Sequence, residues 1–300
     1  MNENSDFSRW LDAARVYVQP RVLVVMLLGF SSGLPLALSG STLLYWMRDR
    51  GVDLTTIGLF SLAGVPYTLK FIWAPLVDAA RIPVLCKRFG QRRGWLLFTQ
   101  LVLMACIFAL GSLDPVKAPF FIALGAVLVA TASATQDIVI DAFRIGSLDD
   151  SEQAAGVAVY VAAYRVAMLV SSGGVIGLVG WLEQHGTARD QIWFYGYSFA
   201  AAMVLVGIVA VLMAREPARI EVNAGKRPDV IETMRSAFAE FFTRPHALAI
   251  LLFILLYKFC DSLAGVLTGP FVLDLGFEKT TYAGIVKGAG FLAVLAGGFA

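Results

Sequence analysis

The sequence is short of charge, of histidine and of cysteine. Charged residues make up 15% of the 300-residue chain, where a soluble domain carries about a quarter. The two histidines, His185 and His246, fall in loops on opposite sides of the spans predicted below. Neither a catalytic triad nor a histidine-built metal site is therefore supported, and no metal or other cofactor is expected. Cys86, Cys106 and Cys260 are odd in number and widely spaced. They read as small apolar residues in or near helices, not as a disulfide framework or a metal motif. Nucleic-acid binding is excluded as well, because the basic residues lie in loops flanking apolar runs.

Apolar residues are what the chain has in quantity: 58% of it, with a mean hydropathy of +0.73. They gather into eight segments, about 22–46, 55–77, 95–113, 118–143, 154–181, 192–214, 247–273 and 281–300. Runs of roughly 20 apolar residues match the hydrocarbon thickness of a bilayer, so the expected fold class is all-α, a polytopic helical membrane protein. The last segment is still apolar at Ala300, and a longer protein is the expectation. The polar opening, 1–21, is read as an uncleaved segment. Phe7, Trp10, Leu11, Ala14 and Val18 share one face of a short interfacial helix there.

Basic residues decide the direction of the spans. Of the 24 Lys and Arg residues, fifteen lie in the N-terminal tail and even-numbered loops. Five occupy the opposite loops (Arg48, Arg50, Lys117, Arg189 and Lys279) and four lie within spans. This asymmetry predicts a cytoplasmic N-terminus. The division expected is a six-helix bundle at 22–214, a cytoplasmic connection at 215–246, and the start of a second bundle at 247–300. The connection contains an amphipathic pattern, Ile231, Met234, Phe238, Phe241 and Phe242. GVDLTT at 51–56 and GFEKTT at 276–281 follow the first and seventh segments, each with Thr as the expected N-cap. A short repeat in matching topological places suggests a duplicated six-helix unit, the plan of major facilitator transporters.

Ionisable residues inside spans cost at least about 2.5–3.5 kcal/mol each on insertion scales and usually mark transport or proton paths. At about 1.5 Å per residue, Lys70, Asp137 and Arg165 lie roughly 12, 10 and 16 Å deep, and they meet if their helices pack together. Asp141 is a turn from the surface, placed to latch the cytoplasmic face near the basic loop. In the second half Lys258 and Asp261 share a helix face, with Lys287 at a similar depth, so a second cluster is expected. Asp137 is the first candidate to carry a proton and Asp261 the second. Simple staples between helices are the bland alternative for all of these charges.

GFSSG at 29–33 spells a hydrolase pattern, but in an apolar helical span rather than a strand–turn–helix. These glycines read better as small-residue packing, as do Gly173 with Gly177 and Gly284 with Gly288. Pro35 and Pro66 are expected to loosen their helices. The loop DAARIPVLCKRFGQRRG (78–94) has Asp78 at a helix end, then Gly90, Arg92 and Arg93. It resembles the signature loop between the second and third helices of the major facilitator superfamily, with stretched spacing, and reads equally as a plain basic loop.

GFSSGLPLALSGSTL (29–43), TIGLFSLAGVPYTLKFIWAPLVD (56–78), RRGWLL (92–97), SATQDIVIDAF (133–143) and LLYKFCDSLAG (255–265) together resemble the AmpG muropeptide permeases. That resemblance runs along essentially the whole chain. It implies a multi-pass protein of the bacterial inner membrane that imports N-acetylglucosaminyl-1,6-anhydro-N-acetylmuramyl peptides by proton symport for cell-wall recycling. In inducible species the import also feeds β-lactamase expression. The partners implied are the anhydromuropeptide, protons and membrane lipids, around a monomer. Lys70, Arg165, Lys258 and Lys287 would meet anionic groups, with Gln136, Tyr164 and Tyr257 beside them. The family's more distant relatives transport acetyl-CoA, so another anionic metabolite is the alternative cargo, and a non-transporting membrane receptor is the alternative class. An enzyme is not expected.

Overall fold

The computed structural model describes residues 15–217 and 230–257, together with Ala293, Ala296 and Gly297. Phe7, Trp10, Leu11, Ala14, Lys258, Asp261, Lys287 and the 276–281 repeat lie outside the described residues. The chain divides into two units, Met1–Gly225 and Lys226–Ala300. No strand occurs among the described residues. Among the described residues five helical stretches are long and apolar enough to cross a membrane: Pro20–Asp49, Gln91–Gly111, Pro119–Ser147, Asp150–Gln184 and Ile192–Met213. The protein is a multi-pass, all-α membrane protein.

The first stretch is α1 (Pro20–Ser39) and α2 (Ser41–Asp49), which part at Gly40. Pro35 sits inside α1, and its carbonyl accepts the Ser39 hydroxyl at 2.9 Å. The segment predicted at 55–77 is not one helix. It runs as α3 (Leu54–Leu59), a 3-10 turn at Phe60–Gly64, α4 (Val65–Leu69), a second 3-10 turn at Lys70–Ile72, and α5 (Ala74–Ala79). Pro66 and Pro75 are the local cause. Each lacks an N–H and opens a new helix in its first turn, where that N–H has no partner to lose. The Thr expected to cap α3 does not do so. Asp53 accepts the Thr56 amide at 2.9 Å instead, and these hydrogen bonds hold its carboxyl below the usual value.

After α6 (Pro83–Phe89) come three longer helices: α7 (Gln91–Gly111), α8 (Pro119–Ser147) and α9 (Asp150–Leu169). The α8–α9 hairpin turns on Leu148 and Asp149 alone. Asp149 and Glu152 form a reciprocal capping box, and Arg21 reaches the Asp149 carboxylate at 3.0 Å. A π-bulge at Val170–Gly174 leads into α10 (Val175–Gln184). The last span of the unit is α11 (Ile192–Met203) with α12 (Leu205–Met213). The second unit contributes α13 (Val230–Thr243) and α14 (Ala247–Tyr257).

Helix α1 is the hub of the first unit, packed against α8, α9 and α12. Its approach to α9 is backbone against backbone. A Cβ at Gly29 would stand 2.6 Å from the Tyr160 carbonyl oxygen, and one at Gly33 would overlap the Tyr164 carbonyl. In a bilayer, where lipid is as apolar as leucine, such close small-residue contacts are what drives helices together. Gly173 and Gly177 are not used this way. Among the described residues a Cβ at Gly173 would meet only Leu169, at 3.7 Å, and one at Gly177 nothing within 4 Å.

The end of the unit away from the basic loops is closed by aromatics. Trp46 stacks on Trp193 at 5.7 Å, the Trp193 indole donates to Asp49 at 2.9 Å, and the Tyr197 hydroxyl donates to the Leu38 carbonyl at 3.0 Å. Beside them Arg50 pairs with Asp114 at 2.9 Å. Burial raises the Asp114 carboxyl, but the amides of Val116 and Lys117 and the Arg50 guanidinium outweigh it and hold the group below its usual 3.8.

Two outcomes follow for stability. Gly33→Ala should cost about 1–3 kcal/mol by overpacking, and Gly33→Leu should prevent a monodisperse protein, both read by fluorescence-detected size exclusion and thermal melting in detergent. A lowered carboxyl pKa stabilises the fold above the unfolded value and loses that effect as pH falls through the folded value. Asp114→Asn should therefore lower the melting temperature by a few degrees near neutrality, with the difference shrinking as pH falls below about 3.8 and lost once pH is below the lowered folded value.

Candidate functional site

The breaks in the second span leave Lys70 at the start of a 3-10 turn, facing α8. Its ammonium lies 4.0 Å from Asp137 Oδ2. Asp137 Oδ1 accepts the Ser32 hydroxyl of α1 at 2.5 Å, and Ser32 Oγ lies 2.9 Å from the Tyr160 hydroxyl of α9. Ser32 has one hydrogen, committed to Asp137, so Tyr160 is the donor in that second bond. Four helical elements thus meet at one carboxylate. The side chain of Asp137 is 13% exposed and that of Lys70 36%, so the carboxylate is recessed and the lysine is the more open partner.

Ser32 points where it does because Gly29, Ser32 and Gly33 share a helix face at i, i+3 and i+4. The same close approach that removes two Cβ atoms brings the serine hydroxyl within reach of α9. Ser31, one residue back, serves a different interface. It accepts the Gln136 amide at 3.4 Å in a region where Ser31, Gln100 and Gln136 are all fully buried. The Gln136 carbonyl and both ends of the Gln100 amide make no hydrogen bond among the described residues. Gln136 is fully buried at this interface.

Arg165 does not join Lys70 and Asp137 as expected. It is exposed on α9 and makes no ion pair among the described residues. Tyr160 and Tyr164 lie four apart, with rings 6.2 Å apart beside α1, and Arg165 falls about 100° further round the helix. Asp141 pairs with Arg144 on its own helix at 3.9 Å and is half exposed; among the described residues it forms no ion pair with the 78–94 loop. Tyr257 ends α14, exposed and stacked near Phe253 at 6.2 Å. Among the described residues no group of three or more His, Cys, Asp or Glu could hold a metal.

At the basic end, Arg92 reaches the Asp78 carboxylate at 2.5 Å, and the Gln91 amide donates to the Asp78 carbonyl at 2.6 Å. The unexpected partner is Glu216, just past α12. Its two oxygens accept the backbone amides of Arg92 and Arg93 at 2.8 and 3.0 Å, capping the positive end of α7. Gly90 makes this possible. Its φ of +93° suits glycine, and the Glu216 side chain fills the place a Cβ would take. Arg93 returns the contact, donating to the carbonyls of Val211 at 2.9 Å and Leu212 at 3.1 Å.

Sequence reasoning missed Ser32, Tyr160 and Glu216. Ser32 was visible only as a helical hydroxyl between two glycines. Tyr160 was one aromatic among many, and Glu216 stands in a polar linker with no periodicity to mark it.

Comparison with known proteins places this architecture. A family model described as acetyl-coenzyme A transporter 1 matches residues 21–118. The anhydromuropeptide permease of Escherichia coli is 41% identical over 286 residues, which is 94% of this chain and 55% of the permease. The chain thus spans about half the length of that relative. A putative transporter of Rickettsia felis, AmpG 4, is 31% identical over 286 residues, covering 95% of this chain and 68% of its own length. The chain belongs to the AmpG family of membrane transporters, within the major facilitator superfamily.

Proposed function

We propose that this protein is a proton-driven importer of anhydromuropeptides, moving them from periplasm to cytoplasm across a bacterial inner membrane by alternating access. The observation that carries the reading is the recessed Asp137 carboxylate held by Lys70 and Ser32 at membrane depth. An ionisable pair of this kind in a span is costly and is kept where it serves a path. Asp137 is the proton carrier in this reading, with Asp261 the second candidate. Lys70, Arg165, Lys258 and Lys287 bind the anionic groups of the cargo, and Tyr164 and Tyr257 stack on its sugars. The similarity to the permease of Escherichia coli supports the choice of cargo.

The basic loops face the cytoplasm, as does the N-terminus, following the fifteen-to-five division of loop cations. Asp78, Gly90, Arg92 and Arg93 form the gate on that side, and Asp141 with Arg144 borders it. The protein acts as a monomer among membrane lipids, serving peptidoglycan recycling. A second cargo has its own support: the match of residues 21–118 to the acetyl-coenzyme A transporter model favours a bulky anion of another class.

Counterflow of labelled anhydromuropeptide in proteoliposomes, set beside acetyl-CoA and an unrelated peptide, decides between these cargoes. Exchange of the anhydromuropeptide alone is the expected result; exchange of acetyl-CoA alone would sink the first reading. Asp137→Asn should reduce uptake driven by a pH gradient to background while leaving counterflow within about threefold of wild type, since exchange at equilibrium needs binding but no net proton movement. Full gradient-driven uptake by both Asp137→Asn and Asp261→Asn would refute the coupling assignment.

A further inference from the structure

The two oxygens of Asp137 are not equivalent. Oδ1 is taken up by the Ser32 hydroxyl at 2.5 Å, itself fixed by Tyr160 at 2.9 Å. Among the described residues Oδ2 has only Lys70, at 4.0 Å, the long limit of an ion pair. An arriving proton therefore goes to Oδ2, the oxygen facing the amine. Ser32 and Tyr160 hold the carboxyl in that orientation and are positioning residues. The other ionisable groups facing Asp137 are Tyr67, Tyr160 and Tyr164 from the neighbouring helices, and Asp141 one turn along α8.

We propose that Lys70 is a shared cation: it pairs with Asp137 while that carboxylate is ionised, and with a carboxylate of the cargo once Oδ2 has taken a proton. The inference rests on the reading of the protein as a proton-coupled importer, and adds the chemical group by which cargo and proton are tied together. In the step itself an O–H bond forms at Oδ2 and only an ion pair is broken. The pair passes from neutral to +1, and the carboxylate of the cargo returns the site to neutral. Each half alone leaves a net charge beside the recessed Asp137 carboxyl, where it is screened less than in bulk water. Protonation without cargo strands the ammonium, and cargo without protonation sets two carboxylates on one amine. Proton and carboxylate consequently favour each other's binding, and by linkage the effect is reciprocal.

The local structure suits such an exchange. Lys70 opens a 3-10 turn between two short helices, so its backbone is not locked into a long hydrogen-bonded span. Its side chain is 36% exposed while that of Asp137 is 13% exposed. A cargo carboxylate thus has access to the amine without displacing Asp137 from Ser32.

The test is the affinity of the purified protein for an anhydromuropeptide, measured by calorimetry in mildly acidic and mildly alkaline buffer. Wild type should bind at least about tenfold more tightly in acid, within the usual range of coupling between two sites. Asp137→Asn, nearly isosteric and still able to accept from Ser32, should bind with the acid affinity of wild type in both buffers. Lys70→Gln should lose at least about tenfold in acid. Because Lys70→Gln strands a recessed carboxylate and risks misfolding, Lys70→Gln/Asp137→Asn is read in parallel and should bind weakly and without pH dependence. An anhydromuropeptide with its carboxyls amidated should bind wild type without preference for acid. Retention of the wild-type pH response by Asp137→Asn, or of the wild-type acid affinity by the double variant, overturns the shared-cation scheme. Measurable binding that is indifferent to pH overturns the scheme and leaves the transport reading standing; no binding by wild type in either buffer overturns both.

Discussion

The first unit depends on the approach of two backbones, α1 and α9, at Gly29 and Gly33. In lipid there is no hydrophobic gain from bringing apolar helices together, so the contact rests on packing distance. Removing two Cβ atoms lets the helices meet, and the meeting has a chemical consequence one residue away. It sets the Ser32 hydroxyl between Tyr160 and Asp137. The geometry of the carboxylate is thus a product of how closely two helices pack.

The second span makes the complementary contribution. Two prolines break its hydrogen-bonded ladder, and Lys70 is delivered from a 3-10 turn. A straight helix through the same residues would have fixed the amine on a regular face. The broken one lets a cation sit beside a recessed carboxylate while keeping its outer side open. Around this pair the bundle tolerates fully buried amides at Gln100 and Gln136, polar groups that soluble cores satisfy more completely. No physical account of the unpaired Gln100 amide follows from its described neighbours.

The two ends of the unit are closed by different chemistry. At the basic end Glu216 caps the amides of α7 and Arg93 binds the last carbonyls of α12, so the end of one span is stitched to the start of another. Such charge-assisted bonds to orphan helix groups are strong yet reversible in water. At the other end stacked indoles and the Arg50–Asp114 pair do the joining. In the proposed cycle, a gate lies at the end held mostly by charge.

Much of the architecture was legible in the residues alone. Apolar length determined that the chain is helical and crosses a membrane several times, because a bilayer admits few other solutions for backbone polar groups. The scarcity of charge in spans singled out Asp137 and Lys70, since insertion cost makes such residues conspicuous. The glycines at 29 and 33 declared a packing face. Pro66 marked one break of the second span in advance, whereas partner choice and side-chain direction were not legible, because they depend on neighbours distant in sequence. Only the folded bundle turned Arg165 away from Asp137, gave Asp141 to Arg144, closed Gln136 against Ser31, and brought Glu216 back to Arg92 and Arg93. Hydropathy counts residues along a helix; which side of the helix they occupy, and what stands opposite, is decided by packing.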